Sequence, residues 1–244
     1  MRYLFNFAMT AMLLLTSSVY AQDDADEEKE LGWSGSGELG LVSTSGNTNS
    51  FALNAKLGFV KTTENWRHRF AGTALATSED GIQDNERYTA EVQSDRKLTE
   101  KSYLFGVYRY DADKFGAYDP SQTASIGYGR QLMKSEKHAL KAEVGGGYRK
   151  LKQRIDGATS NEIILRVMLD DSWQVFKTTT WTNRLLVETG SENTFLLFNT
   201  DAAIALTDRF AVKIGFEVRN NSSVPPGDTE KTDTITTVNL VYGF

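Results

Sequence analysis

The last eleven residues, Thr234 to Phe244, read TITTVNLVYGF and end the chain on an aromatic ring. Apolar side chains occupy alternate positions at Val238, Leu240, Tyr242 and Phe244. Because successive side chains of a strand point to opposite faces, these four form one apolar face, and Asn239 and Gly243 lie on the other. The pattern predicts a C-terminal β-strand. By itself it fits a hairpin strand of a soluble β-sandwich as well as the last strand of a barrel.

This stretch is similar to the C-terminal signature of bacterial outer-membrane β-barrels. In that class the last strand closes the barrel against the first and is the recognition signal for insertion, which implies the barrel-assembly machinery as a partner. The resemblance predicts that the strand pairs with one beginning near Gly32. It also predicts that the apolar face from Val238 to Phe244 meets lipid, and that Asn239 and Gly243 face the lumen.

The N-terminus predicts export. Residues 1–21 combine a basic Arg2, an apolar run from Ala8 to Leu15 and the small residues of Val19-Tyr20-Ala21, which is typical of a signal peptide cleaved near Ala21. The run is shorter than the about 20 apolar residues that a membrane-spanning helix needs. A disordered or buried N-terminal helix is the alternative. Residues 22–30, QDDADEEKE, predict an acidic disordered leader.

From residue 31 to the C-terminus, apolar and polar residues alternate in one segment after another. The clearest alternation places one face at Phe51, Leu53, Ala55, Leu57 and Phe59. We count about twelve such segments of roughly ten residues, the length that crosses a bilayer at a tilt. No helical period follows residue 30. The chain therefore predicts an all-β fold, a single antiparallel transmembrane β-barrel over residues 31–244 closed by its C-terminal strand.

Short and longer connections alternate along the chain. The short ones are TTEN, TEKS, KSEK, DDSW and LTDR, and the others are SGNTN, SEDGIQDN, DADKFGAYDP, QRIDGATS, GSEN and NNSSVPPGDTEKT. Transmembrane barrels have short periplasmic turns and longer outer loops, and a soluble sandwich has no reason to alternate in this way. GSEN is the exception among the longer set. Aromatic residues near the predicted strand ends, such as Trp66 and Tyr148, predict interfacial girdles.

The polar face carries charges of both signs, and Phe105 and Val107 share it. The cations are Lys56, Arg67, Arg69, Arg87, Arg109, Lys141, Arg149, Arg166, Arg184, Lys213 and Arg219, and the acids are Glu38, Glu91, Asp95, Glu143, Glu162, Asp170, Glu188, Asp201 and Glu217. A charge facing lipid at mid-bilayer costs about 2–4 kcal/mol, so we expect these groups to face inward. They either pair into a network that fills the lumen or line a narrow wet pore. Mixed charge argues against strong ion selectivity.

Two motifs resemble ligand sites but lack the required context. Residues 35–40, GSGELG, match G-x-G-x-x-G, yet the string lies within a predicted strand and no helix follows it, so it predicts glycines in a barrel wall. Asp111-Ala112-Asp113 resembles the start of a calcium loop, but its twelfth position is Gln122 rather than an acid. A loose calcium site at the outer loops is an alternative, formed from Glu79, Asp80, Asp84 or Asp113.

Composition excludes several other functions. The chain has no cysteine, which rules out disulfides, thiolate metal sites and lipid attachment at a cysteine, and only two histidines, His68 and His138. His68 falls on the predicted lipid face and His138 in a predicted short turn, so neither is placed for a catalytic triad. A net charge of −5 argues against nucleic acid as a partner. We predict no enzyme activity, no catalytic, metal or cofactor-binding residues and no cofactor.

Four stretches resemble domain-of-unknown-function family 481, described as salt-induced outer-membrane proteins. They are VSTSGNTNSFAL (Val42 to Leu53), RYDADKFGAYD (Arg109 to Asp119), SIGYGRQL (Ser125 to Leu132) and AEVGGGYRK (Ala142 to Lys150). The resemblance implies a barrel in the outer membrane of a Gram-negative envelope, in contact with lipid and lipopolysaccharide, with no established activity and no catalytic residues to transfer.

Three functions follow as hypotheses. The first is an outer-membrane barrel with a structural or salt-stress role, or a narrow porin-like path for small solutes. The second is a barrel enzyme that hydrolyses lipid or peptide. The third is a soluble periplasmic β-sheet protein that binds a ligand.

Overall fold

The computed structural model describes residues 31–44, 49–225 and 230–244. The predicted signal peptide and leader lie outside these residues, so both stay predictions. Twelve antiparallel strands in the described chain close into one barrel. They are β1 (Gly32–Thr44), β2 (Ser50–Thr62), β3 (Trp66–Glu79), β4 (Ile82–Lys97), β5 (Ser102–Asp113), β6 (Tyr118–Lys134), β7 (His138–Gln153), β8 (Thr159–Phe176), β9 (Thr179–Thr189), β10 (Thr194–Ala205), β11 (Phe210–Asn221) and β12 (Thr232–Gly243). The described chain has no helix long and apolar enough to span a membrane.

The last strand closes the barrel against the first, as the C-terminal pattern predicted. β12 pairs with β1 from Ser36–Gly243 to Leu39–Leu240. Gly35 and Phe244 add two backbone hydrogen bonds, of 2.8 and 2.9 Å between nitrogen and oxygen. This ladder has four aligned residue pairs, against ten between β5 and β6. The closing seam is therefore the shortest ladder in the barrel wall.

The two ends of the barrel have different connections. We call the end that holds Phe244 the closing end; its connections are residues 63–65, 98–101, 135–137, 177–178 and 206–209. We call the other end the loop end; the described residues of its connections are 49, 80–81, 114–117, 154–158, 190–193, 222–225 and 230–231.

The predicted alternation of loop length fails at residues 80–81, where the connection is shorter than both of its neighbours, and holds at residues 154–158, where it is longer than both. β3 and β4 extend through SEDGIQDN and leave only Asp80 and Gly81 as a turn, with positive φ angles of 48° and 78°. DDSW lies inside β8, and the turn follows it at residues 177–178. The strands span 11 to 18 residues rather than roughly ten. Backbone ladders do not require apolar side chains, so they continue through polar segments that resemble loops in sequence.

The exterior of the barrel is apolar. This confirms the predicted alternation of apolar and polar side chains between the two faces of the strands. Val238 and Leu240 are half exposed, and Leu104, Ile126 and Ile163 are exposed on other strands. At the closing end the rings of Phe59, Phe210, Tyr242 and Phe244 lie side by side, with centroids of neighbouring rings 5.1 to 6.1 Å apart. They form the expected aromatic belt at this end.

The glycines of GSGELG make room for side chains from the closing strand. A Cβ atom on Gly35 would lie 2.6 Å from the ring of Phe244, on the exterior. On Gly40 it would collide with the amide oxygen of Asn239, on the lumen side. Asn239 is buried there and donates a 3.1 Å hydrogen bond to Glu38 Oε2. The nucleotide-binding alternative has no support in this geometry.

Candidate functional site

The lumen collects the charged residues of the predicted polar face. Strand register places each of them on the inner side, alternating with the exterior apolar residues. Glu143 and Glu188 are fully enclosed, and so are Arg149 and Arg166, all at 2% exposure or less. Because an ion without a partner is very unfavourable at such burial, their partners decide what the lumen can do.

A continuous series of ion pairs, which we call the ion-pair ladder, runs through the lumen from the closing end toward the loop end. It begins at Arg67, whose guanidinium lies 2.9 Å from Asp95. Arg69 joins Asp95, at 3.3 Å, to Glu143 on the opposite wall, at 3.6 Å. Arg166 then contacts the second oxygen of Glu143 at 2.7 Å.

The ion-pair ladder continues to the loop end through alternating signs. Its remaining pairs are Arg166–Glu188 at 3.7 Å, Arg109–Glu188 at 2.6 Å, Arg109–Asp111 at 2.8 Å, Arg219–Asp111 at 3.2 Å, Arg219–Glu217 at 4.0 Å, Arg87–Glu217 at 3.3 Å and Arg87–Asp113 at 2.7 Å. Several of these bonds connect strands on opposite walls, such as β5 to β9 and β4 to β11. The ladder therefore braces the barrel from inside.

Aromatic rings support the arginines of the ion-pair ladder. The guanidinium of Arg166 lies 5.1 Å from the ring centre of Phe105, and that of Arg109 lies 5.0 Å from Phe195. Such cation–π contacts strengthen when water is excluded. The sequence placed Phe105 and Val107 on the inner face, and both are buried there. It did not single out Phe195, although Phe195 is two residues from Leu197 on the inner face of β10.

Small residues on β6 and β7 make room for the aromatic residues of β5. A Cβ on Gly127 would lie 2.7 Å from the ring of Phe105, and one on Gly129 would collide with the ring of Tyr103. Gly145 also faces Phe105. The rings thus lie against a wall without side chains, and the lumen beside β5–β7 is filled at mid-height; we call this side the filled half.

The other half of the lumen is more open. Arg184 lies halfway along β9 and points inward, yet 42% of its side chain is exposed although it holds Asp170 at 2.7 Å. Ala71, on the inner face of β3, is also exposed. Glu91, opposite Arg184, interacts electrostatically with it and is only partly buried. Space for water-sized molecules therefore remains at mid-height, beside the filled half.

The two histidines lie on the exterior. His68 is stacked on Trp66, and its Nδ1 lies 2.9 Å from the hydroxyl of Ser94, as its predicted exterior position allows. His138 was predicted to lie in a turn, but it is the first residue of β7. Its Nε2 lies 2.6 Å from Asp171 Oδ1. Within the described residues, neither ring holds both a serine hydroxyl and a carboxylate. The geometry thus does not assemble a catalytic triad.

Two of the acids considered for a calcium site are paired with arginines. Asp111 and Asp113 lie in β5 rather than in a loop, and both face arginines of the ion-pair ladder. Asp113 also accepts a 2.8 Å hydrogen bond from the backbone of Gly116. Residues 31–44, 49–225 and 230–244 contain no group of three or more acids or histidines arranged to hold a metal ion.

Comparison with known proteins identifies the family. Residues 37–244 match the family described as "Protein of unknown function, DUF481". The chain belongs to this family. One relative is the uncharacterized protein YdiY of Escherichia coli (strain K12), which is 30% identical over 232 residues, covering 93% of this chain and 89% of the relative. The resemblance seen in the sequence is confirmed, whereas neither comparison carries the salt-induced description.

Solved structures with a similar fold are outer-membrane barrels. An outer membrane channel from Pseudomonas putida F1 is 13% identical, with a TM-score of 0.55, and the match covers 91% of this chain and 100% of that one. The NanC porin is 9% identical, with a TM-score of 0.50 and coverage of 86% and 98%. At these identities the likeness shows that this DUF481 chain shares the barrel fold.

Proposed function

We propose that the protein is an integral outer-membrane barrel that lets small ions and solutes pass slowly along the open side of its lumen. The observation that carries this proposal is the exposure of Arg184 at mid-height. Ala71, on the inner face of β3, is exposed as well. The filled half limits the width of such a path. Mixed charge along it, from Arg184, Glu91 and Lys56, favours weak selectivity.

The apolar exterior of the barrel supports the proposed contacts with membrane lipid. An apolar outer surface with an aromatic belt suits a bilayer, and lipopolysaccharide and phospholipid are the proposed contacts. The closing end carries both the start of β1 and the C-terminus, which suits a periplasmic location after export and assembly by the insertion machinery. A role in adaptation to salt stays an inference from the family resemblance.

Conductance across planar lipid bilayers tests the proposed path. The wild-type protein is expected to give small, weakly selective current steps. Ala71→Trp places an indole in the open half and is expected to reduce the conductance at least about threefold, because a pore's current falls with its cross-section. Ala74→Trp, on the exterior of the same strand, is the matched control and is expected to conduct like the wild type.

A structural role is the second candidate, and the ion-pair ladder favours it. If the wild-type protein inserts but carries no current, or if Ala71→Trp conducts as well as Ala74→Trp, the proposed path is wrong. The barrel would then serve as a filled envelope protein whose lumen is sealed by its own charges.

A further inference from the structure

We propose that a cavity at the closing end binds a small organic anion that carries a carboxylate next to a short apolar group. The cavity has a volume of about 360 Å³ and lies between the inner faces of β2–β7 and the connections at residues 63–65 and 98–101. We call it the closing-end vestibule. The inference goes beyond the proposed function, because a ligand can bind there whether or not the lumen conducts.

The charge of the closing-end vestibule is opposite to that of the whole chain. Five cations line it, at Arg67, Lys97, Lys101, Lys134 and Lys141, against three acids, at Glu64, Asp95 and Glu100. The difference is a formal charge of +2, in a protein whose net charge is −5. A cleft lined mainly by one sign of charge in a low-dielectric wall attracts the opposite ion.

The one deep acid of the vestibule is already engaged. Asp95 is 1% exposed and lies within 2.9 Å of Arg67 and 3.3 Å of Arg69, as part of the ion-pair ladder. Glu64 and Glu100 lie in exposed connections at the mouth. Lys97, in contrast, points into the cavity and donates a 3.1 Å hydrogen bond to the carbonyl oxygen of Thr63, an uncharged acceptor. The ammonium group of Lys97 can therefore interact with an anion that enters the vestibule.

An apolar wall completes the site. The ring of Tyr103 is buried, and its hydroxyl is directed away to Glu143, to which it donates a 2.9 Å hydrogen bond. Tyr103, Leu98 and Ala139 provide the apolar part of the lining, and the guanidinium of Arg67 lies 5.6 Å from the centre of the Tyr103 ring. A pocket with convergent cations and an apolar wall suits an amphiphilic anion better than a sugar or an inorganic ion.

Benzoate is a suitable probe, because its carboxylate can meet Lys97 while its ring lies against Tyr103. We expect saturable binding to the barrel in lipid nanodiscs with a dissociation constant on the order of 1 mM, measured by ligand-observed NMR titration. Benzamide has the same shape without the charge and is expected to bind at least about tenfold more weakly. Inorganic phosphate, which lacks the ring, is also expected to bind more weakly than benzoate.

Two variants place the binding in the vestibule. Lys97→Gln is expected to weaken benzoate binding about tenfold, since it removes the ammonium and keeps the length of the side chain. Lys101→Glu reverses a charge in an exposed connection, which the fold tolerates, and is expected to weaken binding as well. Lys152→Gln, near the loop end of β7, is the matched control and is expected to bind like the wild type.

Each other outcome overturns the proposal. Absence of saturable benzoate binding, equal affinity for benzamide, or unchanged affinity in both Lys97→Gln and Lys101→Glu would show that the vestibule is not an organic-anion site. Phosphate binding as tight as benzoate would show that the apolar wall takes no part. Because none of these readouts depends on conductance, failure here is distinguishable from failure of the proposed path.

Discussion

Arg149 shows how a single lumen residue is held. It is 1% exposed, and its guanidinium donates hydrogen bonds of 2.9 and 2.7 Å to Glu162 Oε1 and another to the carbonyl oxygen of Asn193. The sequence placed Arg149 and Glu162 on the inner face of neighbouring strands, and this is confirmed. The contact with Asn193 was not predictable, because residues 190–193 form a connection whose path depends on the closed barrel.

Removing the partner of Arg149 should destabilise the barrel. Glu162→Ala removes the carboxylate nearest to a buried guanidinium, whose other acid, Glu188, lies 4.0 Å away, and is expected to lower the free energy of unfolding by about 3–5 kcal/mol. Chemical denaturation of the protein in micelles, followed by gel mobility of heated and unheated samples, measures the effect. Lys114→Ala, which removes the ion pair between an exposed lysine and Glu86, is the control and is expected to leave stability nearly unchanged. Equal stability of the two variants would refute this account of the lumen.

At the scale of elements, the aromatic residues of β5 pack against glycines of β6 and β7. The apolar inner side chains of β5 are Tyr103, Phe105 and Val107, which form one buried cluster. Glycines lie opposite them on β6 and β7, so the rings occupy space that side chains would otherwise fill. The sequence predicted which face these residues share. It did not predict the complementarity, because ring and glycine are brought together by the register of β5 with β6, where Tyr103 lies opposite Gly129.

Adding a methyl group at this contact tests the fit. In Gly129→Ala the new Cβ would collide with the ring of Tyr103, so we expect a loss of about 1–3 kcal/mol in the free energy of unfolding. Gly106→Ala, on the exterior of β5 where a Cβ meets no atom within 4 Å, is the matched control and is expected to be neutral or slightly stabilising. A neutral Gly129→Ala would mean that the ring is not fixed against β6.

At the scale of the whole molecule, closure depends on its shortest ladder. Only four aligned pairs join β1 to β12, and the terminal Phe244 adds its backbone bonds to Gly35 and its ring to that of Phe59, with centroids 5.7 Å apart. Ion pairs between opposite walls, such as Arg87–Glu217, then brace the closed cylinder. The C-terminal residue thus adds both backbone hydrogen bonds and a ring contact to the short ladder that closes the barrel.

Truncating the terminal ring should weaken closure. Phe244→Ala loses the contacts with Phe59 and Tyr242 and is expected to lower the free energy of unfolding by about 1–3 kcal/mol and to reduce the fraction of heat-modifiable, folded barrel. Phe176→Ala, at the same end of the barrel but 68% exposed, is the matched control. If both variants fold to the same extent, the C-terminal ring has no special part in closing the barrel.

The amino-acid pattern alone predicted about twelve strands and the two faces of these strands. It could do so because the alternation of side chains along a strand is a local property of the backbone. The closure of the last strand on the first was predicted from the resemblance of the C-terminal stretch to outer-membrane barrels. Three features became known from the closed barrel: where the strands end, which charges pair across the lumen, and that one half of the lumen is filled while Arg184 is exposed in the other. These features depend on the register of twelve strands and on distances across the closed barrel, which join residues far apart in the chain.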